Sequence, residues 1–165
     1  MKVRIIEDND TLEAIQLMKK YTDGNGKFYG FEYNEAVWMR YFLNIVEQQK
    51  QNNPHYLAIG CYSEHMLHGF LTANSFQNYY NNKYVMDVKD CIVDLENRNN
   101  AYIVYKLFDA MIAHTKEHGG NHWRADSVRG EADSIKYAKL LERRYNAEIH
   151  TSVRGIIGEF NYGRR

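Results

Sequence analysis

The 165 residues suffice for one domain that buries about 70% of its unfolded surface, and are short for two. The 21 basic side chains balance 21 acidic ones and the pI is near 7.1, so no global field draws nucleic acid or an anionic membrane to the chain. No apolar run approaches the ~20 residues of a membrane span, and MKVRIIEDND has neither the apolar core nor the cleavage site of a signal peptide, so a soluble cytoplasmic protein is expected.

Lys2–Ile6 alternates, with Val3 and Ile5 on one side, and reads as a first strand. Asp10 or Thr11 caps a helix in which Leu12, Ile15, Leu17 and Met18 recur at helical spacing up to Tyr21. TDGNGKFYGFE then breaks the pattern with three glycines and reads as an exposed loop. A second helix starts near Asn34 on the apolar face of Val37, Met39, Tyr41, Phe42, Ile45 and Val46, and fades in QQKQNN before Pro54. His55–Cys61 and Met66–Phe76 are β runs joined by the polar turn Tyr62–His65, an antiparallel hairpin. The tip NYYNNK leads to a third β run, Tyr84–Val93.

Ala101–His118 is the longest helical segment, with Ile103, Val104, Leu107, Phe108, Met111 and Ile112 at core-facing intervals and Gly119-Gly120 as its stop. His122–Val128 follows as a strand, Ala132–Tyr145 as a helix, and Ala147–Val153 with Ile156–Phe160 as closing strands. The expectation is a single α/β (α+β) domain over 1–165, a mixed and mostly antiparallel sheet flanked by helices in the order βααβββαβαββ. Cys61 and Cys91 each sit in an apolar strand with no second cysteine nearby, and are expected as buried reduced thiols. The 14 tyrosines, the abundant Asn and Lys and the single Pro54 suit an AT-rich coding sequence of the kind found in some bacteria and many of their viruses.

This order, with the third meander strand running directly into a polar turn and the longest helix, resembles the GNAT N-acetyltransferases over nearly the whole chain. In that family the turn carries an Arg/Gln-x-x-Gly-x-Gly/Ala pattern whose backbone amides hold the pyrophosphate of acetyl-CoA. The physics is general, since unpaired amides and the positive dipole end make a helix start an anion site. Here Arg98 takes the basic position, Ala101 stands at the first Gly and Ile103 at the Gly or Ala, a β-branched residue in place of a small one. The resemblance implies cofactor contacts at Arg98, Asn99, Asn100, Ala101, Tyr102 and Ile103, with backbone groups of Ile92 and Val93 along the pantetheine. The other reading of the same residues is an ordinary corner in which Asn99-Asn100 caps the helix and Arg98 is a solvated charge.

Some family members use a Glu on the strand before the turn as base. The resemblance implies that role for Asp87, with Asp90 the nearby alternative; by alternation alone Asp87 and Lys89 share an exposed polar face opposite Met86 and Val88. The family's acid, a Tyr in the last helix, falls at Leu141 when SIKYAKLLERRYN is aligned with its pattern, and Tyr145 falls at the glycine that ends the helix. Tyr137, one turn earlier, is the substitute acid; as a residue in its own right, it reads as packing.

His114, His118 and His122 recur every four residues, but read as surface histidines near a helix C-terminus, and no metal is expected. No GxSxG elbow supports a serine triad. The aromatics Phe28, Tyr29, Phe31, Tyr79 and Tyr80 suit either an acceptor site or a protein interface, including a homo-oligomer. Asn161–Arg165 is too short for a nucleic-acid arm. Two functions follow: acetyl transfer from acetyl-CoA to an amine-bearing small molecule or protein, or a GNAT-like fold without catalysis that serves as a binding or structural module, as in a bacteriophage virion. No nucleic acid and no membrane is expected as partner.

Overall fold

A computed structural model describes residues 1–25, 27–28, 31–78, 83–94, 96–126 and 131–148. The elements are β1 (Lys2–Ile5), a 3-10 turn (Asp8–Asp10), α1 (Thr11–Asn25), β2 (Lys27–Phe28), β3 (Phe31–Glu32), α2 (Glu35–Lys50), β4 (Tyr56–Ser63), β5 (Met66–Gln77), β6 (Tyr84–Val93), α3 (Asn100–Glu117), β7 (His122–Ala125) and α4 (Glu131–Tyr145). Among the described residues five strands form one sheet in the order β1-β4-β5-β6-β7, and β2 pairs with β3 as a small separate hairpin. The three inner pairings are antiparallel, while β6 and β7, joined through α3, run parallel as a strand-helix-strand unit must.

Apolar alternation puts a core on each face of the sheet. Leu57, Ile59, Cys61, Leu71, Ala73, Met86, Val88 and Val93 meet Ile103, Leu107, Phe108 and Met111 of α3 and Leu141 of α4. Ala58, Tyr62, Phe70 and Ile92 meet Met18 and Tyr21 of α1 and Phe42, Ile45 and Val46 of α2. Trp38 joins this second core by stacking on Phe42, with ring centroids 5.0 Å apart.

Two expectations are corrected. α1 runs to Asn25 and not to Tyr21, because Tyr21 and Thr22 are both buried and tertiary contact carries the helix past the end of its periodic pattern. The stretch read as an exposed loop contains the β2–β3 hairpin. The closing strands expected after Ala147 lie almost entirely outside the described residues. Cys61 is buried and Cys91 half-buried, both as free thiols.

The departure with most bearing on function is a β-bulge. In the β5–β6 ladder Thr72 pairs with Asp90 and Ala73 with Val88, so Lys89 is an extra residue. A regular strand would send Asp87 and Asp90, three apart, to opposite faces. The bulge returns both to the face covered by α1 and α2.

Candidate active site

β7 ends at Ala125, the partner of Val88, so from Lys89 to Val93 the outer edge of β6 has no partner strand among the described residues. Ile92 and Val93 lie on this open run, and the chain then turns into α3. The turn is bound inward. Lys20 of α1 reaches Asp94 at 3.1 Å and Glu96 at 2.9 Å. Asn97 Oδ1 accepts from the Asn99 amide at 2.9 Å, and Asn100 Oδ1 accepts from the Ala101 amide at 2.7 Å.

Asn99 stands at the N-cap of α3 but its side chain makes no cap hydrogen bond, so the capping expected of the Asn pair is done by Asn97 and Asn100 instead. A phosphate at these amides has to displace the two side-chain oxygens. Ala101 is helical and absent from the positive-φ residues, so it replaces a glycine without strain. Ile103 is 0% exposed and points into the sheet, where a β-carbon added at Gly69 would lie 2.8 Å from its Cγ2. It does not cover the turn. Arg98 and Tyr102 are exposed beside it.

Behind the turn runs a row of Ser63, His68 and Asn97. Because Asn97 Oδ1 is engaged by the Asn99 amide, its Nδ2 donates to His68 Nδ1, 3.1 Å away, and the ring proton therefore sits on Nε2, facing Ser63. In that tautomer His68 donates to the serine and cannot take its proton. The row is a tie between the β4–β5 hairpin and the turn, not a nucleophile with its base.

The titratable cluster lies on the α1/α2 face of β6. Asp87 is 6% exposed, not on an open polar face. Arg124, its register partner on β7, donates Nε and Nη2 to the two carboxylate oxygens at 2.8 Å each, and Lys89 donates to Oδ2. Burial alone would raise the Asp87 carboxyl, but the two cations outweigh it and hold it below the usual carboxylate range. Asp90 stands in the opposite condition. Its carboxyl lies under Thr72, which donates at 2.6 Å, and the indole of Trp38, which donates at 3.3 Å. Burial pushes it above the ordinary Asp value despite these donors and the nearby Lys89 charge.

Tyr33 and Tyr41 flank it, their phenols each pushed up to about 12 by burial and then by neighbouring carboxylates. Tyr41 donates to Asn74 at 2.9 Å, and the Arg124 guanidinium lies 4.8 Å over the Phe76 ring. The result is a cleft with an aromatic wall and a protonatable carboxyl on its floor, next to an open strand edge.

Tyr137 is not in that cleft. Its ring packs edge-on to Phe108 at 6.3 Å, on the α3/α4 side of the sheet, away from Asp87 and Asp90. Leu141 is 5% exposed in the same core. Tyr145 donates to Asp109 at 2.9 Å and burial raises its phenol. Where the family has a helix-ending glycine one residue earlier, Asn146 takes the left-handed turn with φ 51°.

Of the spaced histidines, His114 Nε2 bonds the Pro54 carbonyl at 3.0 Å, and His118 Nδ1 bonds the His114 carbonyl at 2.8 Å. Among the described residues no group of three His, Cys, Asp or Glu is placed to hold a metal ion. No helix among them is long and apolar enough to cross a membrane. Tyr29, Tyr79, Tyr80, the side chains of Phe28 and Phe31, and Asn161–Arg165 lie outside the described residues. A groove of about 480 Å³ between the 3-10 turn and the end of α2, lined by Ile5, Asp8, Gln49 and Lys50, is remote from the β6 cleft.

Sequence reasoning placed Asp87 and Asp90 on the right strand and passed over Trp38, Thr72, Lys89 and Arg124. Each belongs to the site through the bulge or through strand pairing, and neither leaves a local signature.

No family model and no curated protein matches the sequence. Solved structures do match. The ribosomal-protein-alanine N-acetyltransferase from Brucella melitensis biovar Abortus 2308 superposes with a TM-score of 0.68 at 16% identity, covering 95% of this chain and 99% of its own. The glucosamine-6-phosphate N-acetyltransferase from Arabidopsis thaliana gives 0.62 at 17%, over 93% and 97%. An aminoglycoside acetyltransferase from an uncultured soil metagenomic sample, in complex with sisomicin, gives 0.65 at 16%, over 94% of each chain. At such identities the likeness is one of fold. The chain has the acyltransferase fold of the GNAT N-acetyltransferases.

Proposed function

We propose that the protein transfers an acetyl group from acetyl-CoA to an amine, acting in the cytoplasm on a small molecule or protein that enters on the α1/α2 side of β6. The observation that carries this reading is Asp90, a carboxyl whose proton affinity is raised by burial, facing an aromatic cleft beside the open edge of β6. Acetyl-CoA supplies the activated acyl group, a thioester carbonyl open to attack by an amine. The residues present suit it: Arg98 is exposed for a phosphate, Ile103 leaves the turn uncovered, and Ile92 and Val93 offer backbone along the edge. Asp90 accepts the amine proton directly or through one water, which a carboxyl with raised proton affinity does more readily than the doubly ion-paired Asp87.

Calorimetry with acetyl-CoA tests the reading: micromolar binding weakened by Arg98→Ala is expected, as is loss of acetyl transfer in Asp90→Asn. No detectable binding at millimolar cofactor would overturn it. One observation favours a second reading, a binding module of this fold without catalysis: Asn97 and Asn100 already occupy amides that a phosphate needs.

A further inference from the structure

Four charged side chains meet at the bulge, Asp87, Lys89 and Asp90 from β6 and Arg124 from β7. Lys89 is the extra residue and is bonded in sequence to Asp90, so two carboxylates compete for its ammonium. The ammonium lies on Asp87 Oδ2, and Arg124 closes over the same carboxylate from the neighbouring strand. Asp90 Oδ2 is left to two neutral donors, the Thr72 hydroxyl and the Trp38 indole. We infer that Asp87 is a positioning residue, which holds the Lys89 ammonium off Asp90 and so keeps Asp90 able to take up a proton.

The groups that bear on Asp90 come from each element packed there. Tyr33, ahead of α2, and Tyr41 on α2 are phenols neutral through the physiological range. Thr72 on β5 and Trp38 on α2 do not titrate. Lys89 is the one cation among the charges acting on the Asp90 carboxyl, and already pulls it downward from its place on Asp87. Without the Asp87 charge, Lys89 is free to pair with Asp90 directly, and an opposite charge at ion-pair distance depresses a carboxyl strongly. The bulge that brings Asp90 into the cleft also brings in a lysine that would disable it, and Asp87 removes the conflict. Its catalytic meaning rests on Asp90 being the proton acceptor; the linkage itself can be measured without any reaction.

The test is a pH titration of the full chain by NMR with carboxyl-labelled aspartate and no ligand present, the Asp90 signal being assigned by its loss in Asp90→Asn. Asp87→Asn is expected to lower the proton affinity of Asp90 by about tenfold or more. Adding Lys89→Gln to that variant restores it, which a merely structural role for Asp87 would not do. Lys89→Gln alone, with Asp87 in place, is expected to shift Asp90 by less than about threefold. A drop below about threefold in Asp87→Asn overturns the inference, as does a larger shift in Lys89→Gln alone; the second arm stands even where Asp87→Asn fails to fold. A chain that shows the coupling but binds no acetyl-CoA loses the proposed function and keeps the linkage.

Discussion

Ile103→Ala puts the reading of the corner at risk. In the family pattern this position is small so that a phosphate can approach the helix, and truncating the isoleucine would be expected to help binding. In this fold the side chain is fully buried, turned away from the corner and packed on Gly69. Burying and then deleting most of an isoleucine costs about 2–5 kcal/mol, depending on how far the site collapses. Gly69 has no side chain to move into the void, and Leu107, Val104 and Val93 are held by the rest of the core, so a value of about 3–5 kcal/mol is expected. That is a large share of a typical stability of about 5–15 kcal/mol, so Ile103→Val, at about 1 kcal/mol, serves as the milder probe. Urea unfolding measures the loss, and calorimetry with acetyl-CoA on the folded variant should show affinity unchanged within about threefold. A cost under about 1 kcal/mol, or a tenfold gain in affinity, would refute the reasoning, because either would mean that the side chain stands over the turn.

Gly69→Ala probes the same contact from the other side: the new β-carbon meets Ile103 Cγ2 at 2.8 Å and the Ile92 carbonyl at 2.9 Å, and unfolding should show a loss of about 1–3 kcal/mol. Asp90→Asn should stabilise the fold at neutral pH. A carboxyl raised in the folded state adds stability below its ordinary pKa and loses it as pH rises toward the folded value, whereas asparagine keeps an acceptor for Thr72 and Trp38 without a charge to bury. Melting temperatures of variant and parent should therefore converge in acid, and a variant less stable at neutral pH would count against an enclosed carboxyl. Arg124→Gln has the opposite profile. Asp87 is lowered in the folded state, so its contribution is present above the ordinary carboxylate pKa and fades as pH falls through the lowered value. With the guanidinium 59% exposed and screened, the loss at neutral pH is about 1–2 kcal/mol, and it should shrink in acid on denaturant titration.

The sequence by itself determined the fold and the strand that carries the site. The change from helical to alternating period at Pro54 marks where helices yield to strands, the run Tyr84–Val93 leads straight into the longest helix, and strand-helix-strand connectivity makes β7 parallel to β6. These are local patterns, and local patterns are what one sequence displays. Which residues meet in the cleft was decided only by the tertiary structure. One extra residue at Lys89 reverses the face of everything after it, so strict alternation left Asp87 on an open polar face and could not bring Asp90 to its side. Arg124 comes from 37 residues away, Trp38 from 52, and nothing near either one marks it as a partner for an aspartate. Ile103, an obstruction by motif, is a core residue because the opposing strand has a glycine where it lands. Side-chain direction and long-range pairing belong to the packed state, where burial and charge are first defined, and the proton affinities that separate Asp87 from Asp90 come into being there.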